Sequence, residues 1–211
     1  MSKDSPGILH RIVVERLMHY YHFLAQQKDL GGVAGVTSKQ IAKVLHLDSS
    51  LVRKDLAEIG VHGYPGKGFS VLDVMDAIRM HLGLNRNLRA VIVGAGRLGG
   101  ALASYRGFGK YGIEICAVFD NAPHKIELTL AGYQIQHVRE LPVIVKQMGV
   151  LIGIITVPSE SAQEAAHGLV DAGVKAIWNF ASTDIEVPKG TVVRQEHLSV
   201  GLCALAYQIR S

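Results

Sequence analysis

The chain has 211 residues, of which 48% are hydrophobic and 19% charged. That balance excludes a disordered polar chain and allows one large domain or two small ones, at ~100–200 residues each. A net charge of +4 is small, so charge by itself points only weakly to a nucleic acid. The opening stretch MSKDSPGILHRIVVERLMHYY has no apolar core followed by a small-residue cleavage site. No apolar run reaches the ~18 residues of a membrane span, so a cytoplasmic location without a membrane partner is expected. Cys116 and Cys203 stand in no metal-ligand spacing, and both are expected to be buried, reduced thiols, with no disulfide and no metal site.

The first predicted element is an amphipathic helix from Ile8 to Leu24, with Ile8, Ile12, Leu17, Tyr20, Tyr21 and Leu24 near helical spacing. Thr37 and Gln40 form a capping box at the start of a second helix that runs to about His46. After a turn at Leu47, Asp48 is the N-cap of a third helix, and Gly60 suits the left-handed residue beyond its end. Two short helices joined by a tight turn make a helix-turn-helix pattern. The glycine-rich GVHGYPGKGFSV reads as a hairpin with a flexible tip, and a fourth helix follows near Leu72–Leu82.

Beyond the polar turn Gly83-Leu84-Asn85-Arg86-Asn87 the pattern changes to strands alternating with helices. Strands are predicted over Leu88–Val93, Ile113–Asp120, roughly Gln134–Val138, Val150–Thr156 and Lys175–Asn179, with Val192–Arg194 as an edge. Helices are predicted over Arg97–Tyr105, Glu140–Gln147 and Ser159–Asp171. Continuous apolar strands such as AVIVG suit a parallel sheet covered on both faces, giving an α/β class with a doubly wound sheet. A last amphipathic helix, Leu198–Ile209, carries Leu198, Leu202, Leu205, Ala206 and Ile209 on one stripe.

Gly94-Ala95-Gly96-Arg97-Leu98-Gly99 is a GxGxxG that follows a strand and opens a helix, as a dinucleotide site requires. Asp120 ends the second strand, placed to accept hydrogen bonds from an adenosine ribose and to repel the 2′-phosphate of NADP, which favours NAD(H). A Rossmann-like domain that binds coenzyme A, or nothing, is the alternative. Thr156-Val157-Pro158 and Asn179-Phe180-Ala181 end later strands, where such sheets bind ligands, and could frame a nicotinamide slot. In the third helix Leu51, Val52 and Leu56 face a core and leave Ser49, Ser50, Arg53 and Lys54 outward, residue types that reach guanine edges and phosphates. Ser38 and Lys39 at the start of the second helix, with Tyr64 and Lys67 at the hairpin tip, complete the candidate DNA contacts.

Taken together, VRKDLAEIG, the glycine-rich wing, LGLNR, VGAGRLGGALASYRGF, FD, TVPSESAQEAA and NFA resemble the Rex family of redox-sensing repressors in order and spacing. The resemblance implies a winged-helix DNA-binding domain over residues 1–84, a Rossmann NAD(H)-binding domain over 85–196 and a dimerisation helix over 197–211. It implies a homodimer with the last helix exchanged between subunits, bound to double-stranded palindromic operator DNA and released by NADH, with NAD+ the oxidised counterpart. Gly94, Gly96, Gly99 and Asp120 would hold the cofactor, with Tyr105, Thr156, Val157, Pro158, Asn179 and Phe180 around it. Three departures stand out. Pro65 replaces the usual basic wing residue, with Lys67 nearby, and His22 and His197 occupy the places of an Arg and an Asp linked to the nicotinamide-side Tyr in one branch. A dehydrogenase is the rival class, but no substrate domain follows the nucleotide half, and no catalytic residue is expected.

Overall fold

The computed structural model describes Leu9, residues 11–29 and residues 34–209. The chain divides into two units between Asn85 and Arg86. In the first, α1 (Arg11–Asp29) buries Leu17, Tyr20, Tyr21 and Leu24, the three- and four-residue spacing of one helix face. It runs past the expected end at Leu24 because Ala25-Gln26-Gln27 holds no helix breaker, and Ile8, its expected start, lies outside the described residues. It packs on α4 (Val71–Leu82), which buries Val71, Val74, Met75 and Ile78.

Helices α2 (Ser38–Leu45) and α3 (Ser49–Glu58) pack on each other as a helix-turn-helix. The capping box is formed: Thr37 N donates to Gln40 Oε1 at 2.7 Å and Gln40 N to Thr37 Oγ1 at 3.2 Å. His46 ends α2 in the left-handed region at φ 53°, and Asp48 Oδ1 then accepts from Ser50 N at 2.6 Å to start α3. The short turn between them is therefore held from both sides. The expected hairpin is reduced to one bridge between Tyr64 and Gly68. Its outgoing strand β2 (Phe69–Ser70) pairs instead with β1 (Gly35–Val36). A Cβ on Gly68 would sit 2.4 Å from Val36 O, so the wing closes only with glycine there.

The second unit is a sheet of six parallel strands: β6 (Tyr133–His137), β4 (Ile113–Asp120), β3 (Leu88–Val93), β7 (Ile152–Ile155), β8 (Ala176–Asn179) and β9 (Val192–Gln195), in that spatial order. Helix α5 (Arg97–Ala103) covers one face, over Ala90, Ile92, Val118 and Ile154. Helices α6 (Leu141–Met148) and α7 (Ser159–Ala172) cover the other, over Val91, Val93, Phe119 and Ile155. Both faces being buried explains the unbroken apolar strands.

Two elements lack an obvious sequence signal. A two-residue strand β5 (Thr129–Leu130) turns back antiparallel onto β6 through Ala131 and Gly132, both at positive φ, a turn that Asn-Gly would have announced and Ala-Gly does not. Helix α5 stops at Ala103, short of the expected Tyr105, and a 3-10 turn follows over Arg106–Tyr111.

Helix α8 (Leu198–Gln208) has no residue buried by its own chain. Val200, Tyr207 and Ile209 are exposed together with Leu198, Leu202 and Leu205, so its apolar surface is wider than the single stripe expected. The expectation of two buried thiols is corrected for the same reason: Cys203 lies on this uncovered helix and is exposed, and Cys116 is only half-buried. No helix among the described residues is long and apolar enough to cross a membrane.

Candidate functional site

Strand order reverses between β3 and β7, so the loops at their carboxyl ends diverge and leave a crevice. A cavity of about 840 Å³ opens there, lined by Gly94, Gly96, Asp120, Thr156, Val157 and Pro158. Two glycines of the fingerprint have a steric reason, and the third borders open space. Gly94 has φ 112°, and a Cβ on it would lie 2.8 Å from the Thr156 backbone. Added to Gly99, a Cβ would lie 2.0 Å from Gly94 O, which fixes the close approach of α5 to β3. Around Gly96 there is open space, the place a ligand backbone would fill. Gly99→Ala is accordingly expected to destabilise the second unit by about 1–3 kcal/mol, as overpacking does. Thermal unfolding followed at the single Trp178 checks it, and an unchanged midpoint would refute it.

Thr156 Oγ1 donates to Gly94 O at 2.8 Å, so this hydroxyl pins the glycine turn. Asp120 is 6% exposed and is similarly engaged. Its Oδ2 accepts from Ala95 N at 2.8 Å and from Lys125 Nζ at 2.9 Å, and its Oδ1 from Ala122 N at 2.9 Å. Burial pushes this carboxyl up, but the bonds from Lys125, Ala122 and Ala95 outweigh it and hold the group below the usual carboxylate range. A depressed folded value stabilises above the unfolded one, and that stability is lost only as pH falls through the depressed value. Asp120 is thus an anion at neutral pH and anchors the glycine turn.

Ala95, Arg97, Leu98 and Gly99 do not line the cavity. Ala95 is buried and donates its backbone N–H to Asp120 Oδ2, while Arg97 is exposed on the first turn of α5. Tyr105, Asn179 and Phe180 also stand apart from it. Asn179 is fully buried, donating to Thr183 O at 2.8 Å and Gln195 Oε1 at 2.6 Å and accepting from Ala181 N at 3.0 Å, so it shapes a loop rather than offering its amide. Tyr105, Phe108, Trp178 and Phe180 form an aromatic row with centroid separations of 4.9, 6.1 and 4.4 Å. Lys125, Arg139, Glu164 and His167 line the cavity without having been singled out in the sequence. Lys125 had a signal, five residues after Asp120 in a stretch that Pro123 turns into a single 3-10 turn.

In the first unit Arg53 and Lys54 are exposed on α3, beside Ser49 and Ser50. Arg53 Nη1 lies 3.3 Å from Ser38 Oγ and 3.5 Å from Ser49 Oγ, which gathers three of the predicted contacts. Lys39, Tyr64 and Lys67 are exposed as well. Behind this surface is a residue that sequence reasoning missed. Asp55 is 1% exposed and accepts from Arg16 Nε and Nη2, both at 2.7 Å, and from the Tyr20 hydroxyl at 2.7 Å. It falls on the face of Val52 and Leu56, a spacing that could have flagged a buried carboxylate. His22 is exposed with a ring nitrogen 2.9 Å from Gln26 Nε2, and His197 is the N-cap residue of α8 without a side-chain capping bond.

Two family models match parts of the chain, one described as "CoA binding domain" over residues 85–183 and one as "Putative DNA-binding protein N-terminus" over 11–57. The redox-sensing transcriptional repressor Rex of Treponema denticola is 39% identical over 198 residues, 94% of this chain and 94% of that protein. The chain belongs to the Rex family of redox-sensing transcriptional repressors. The Rex-family repressor RSP superposes on it along most of its length. In complex with β-NAD+ and operator DNA its TM-score is 0.88, at 30% identity and covering 96% of this chain and 93% of RSP. In complex with β-NADH the TM-score is 0.86, also at 30% identity, covering 96% and 95%.

Proposed function

We propose that this Rex-family chain represses transcription by binding palindromic operator DNA as a homodimer in the cytoplasm and leaves it when NADH binds. It catalyses no reaction. The observation that carries the reading is that one chain presents both an outward-facing Arg53 and Lys54 on α3 and a crevice left open at Gly96. The roles divide as follows: residues 1–84 read DNA, 85–196 hold the dinucleotide and 197–211 join two copies. Lys39, Ser49, Ser50, Arg53 and Lys54, with Tyr64 and Lys67 on the wing, face the duplex, and Ser38, buried at the start of α2, accepts from Arg53 behind them. In the crevice the pyrophosphate runs past the Gly94–Gly99 turn, with the adenosine ribose toward Asp120. The nicotinamide extends along Thr156, Val157 and Pro158 toward Tyr105, Asn179 and Phe180.

RSP holds β-NAD+ and operator DNA in one complex, the combination expected if the oxidised cofactor does not drive release. The pyridinium charge of NAD+ is disfavoured in an apolar slot, whereas the neutral dihydropyridine of NADH is not. NADH then selects a dimer whose reading heads no longer fit the operator. Shifting that dimer from 1:99 to 99:1 takes about 5.5 kcal/mol of differential binding, or roughly half that at each of two sites.

Titrating a preformed complex with a palindromic duplex tests this directly. NADH is expected to release the DNA at concentrations where NAD+ and coenzyme A do not. Release by coenzyme A alone would move the chain to another ligand class. Arg53→Ala is expected to weaken operator binding by about 1–3 kcal/mol and relax one base position. Unchanged affinity in both Arg53→Ala and Lys54→Ala would take α3 out of the interface.

A further inference from the structure

A carboxylate offers about four acceptor positions. Asp120 uses three of them within its own chain, toward Ala95 N, Lys125 Nζ and Ala122 N. One position remains, on Oδ1. The two adjacent hydroxyls of a ribose cannot both be held by it, so the second needs another partner.

Lys125 is the group at hand. Its ammonium has three N–H donors, and one of them goes to Asp120. The same side chain lines the cavity and is 32% exposed. Its position is set by the backbone: the 3-10 turn Pro123–Lys125 follows directly on Ala122, and Lys125 N donates to Ala122 O at 3.0 Å. The residue that donates to Asp120 Oδ1 is thus the same one that anchors the Lys125 turn.

We propose that the adenosine ribose is read by the Asp120–Lys125 pair jointly, and that Lys125 sets how strongly a 2′-phosphate is excluded. One ribose hydroxyl donates to Asp120 Oδ1 and the other accepts from Lys125 Nζ. The pair is neutral, so a phosphomonoester at the 2′ position meets repulsion from the carboxylate and attraction from the ammonium. Removing the cation leaves the carboxylate unopposed, and removing the carboxylate frees a point charge suited to phosphate. The proposal rests on the dinucleotide reading of the crevice.

Fluorescence titrations of the full chain with NADH and with NADPH test it. Lys125→Met is the decisive variant, because it leaves the bonds from Ala95 and Ala122 to Asp120 in place. NADH binding should weaken about tenfold, the loss of one charge-assisted hydrogen bond, and NADPH binding by about a further tenfold, so that the preference for NADH widens. Asp120→Asn should narrow the preference, and adding Lys125→Met to it should cancel that gain. A preference unchanged or narrowed in Lys125→Met would overturn the proposal. If the unmodified chain binds NADH not at all, the dinucleotide reading falls and this proposal with it.

Discussion

Asp55→Ala is expected to destabilise the first unit by about 3–5 kcal/mol, the cost of leaving a buried ion pair with one partner. Arg16 and Tyr20 both point their donors at this carboxylate, across the contact between α1 and α3. The Arg16 side chain keeps 20% of its surface in water, which places the expected cost at the lower end of that range. The bidentate bond to Asp55 pushes the Arg16 guanidinium above its ordinary value despite partial burial. Burial first, and then the bond to Asp55, push the Tyr20 phenol up as well. A raised folded value gives stability that is present below the ordinary phenol range and lost as pH climbs through the raised one. The network therefore weakens on the alkaline side, not near neutrality.

Urea unfolding followed by circular dichroism measures the effect. A cost under about 1 kcal/mol, the worth of an exposed pair, would show that Asp55 does not hold α3. Replacing all three groups, as Arg16→Met, Tyr20→Phe and Asp55→Leu, is expected to recover most of the loss, since an apolar substitute avoids burying unpaired polar groups. Operator binding is then the informative readout. If the ion pair orients Arg53 and Lys54, the apolar triple variant regains stability without regaining full affinity.

Ending the chain at His197 is expected to abolish the dimer and lower operator affinity by about 10²–10⁴, the factor lost when two linked sites become one. Helix α8 carries no charged residue in LSVGLCALAYQ, and each of its residues is exposed. Such a helix is stable in water only when other protein encloses it. Two reading heads must also reach half-sites ~34–36 Å apart, which one copy cannot do. Because α8 contributes nothing to the buried cores of its own chain, the truncated protein should stay folded, and sedimentation can report its association state cleanly. A truncated chain that still sediments as a dimer and binds the operator with full affinity would show that α8 is dispensable.

Local chemistry made much of this molecule legible from its sequence. Caps are decided within four residues, so Thr37 with Gln40, Asp48 with Ser50, and Gly60 after α3 could be read directly. The parallel strands were legible because burial on both faces leaves an apolar run, and the glycine fingerprint because Gly94 and Gly99 answer steric demands of the strand–turn–helix around them while Gly96 keeps the crevice open. Family membership followed from the order of such motifs along nearly the whole chain.

What the sequence could not settle depended on partners distant in the chain or on turns without a residue signature. Asp55 looked like one more charge in VRKDLAE until α1 brought Arg16 and Tyr20 to it from more than thirty positions away. Asp120 was recognisable as the acid ending β4, but its three bonds, and the role of Lys125 beside it, exist only once the glycine turn and the Pro123 turn meet there. Asn179 stood at a strand end where ligands bind, yet its amide is already occupied by Thr183, Ala181 and Gln195. Periodicity and propensity report which face of an element is buried. They carry no record of which polar group arrives on that face from elsewhere, and only the packed tertiary structure supplies it.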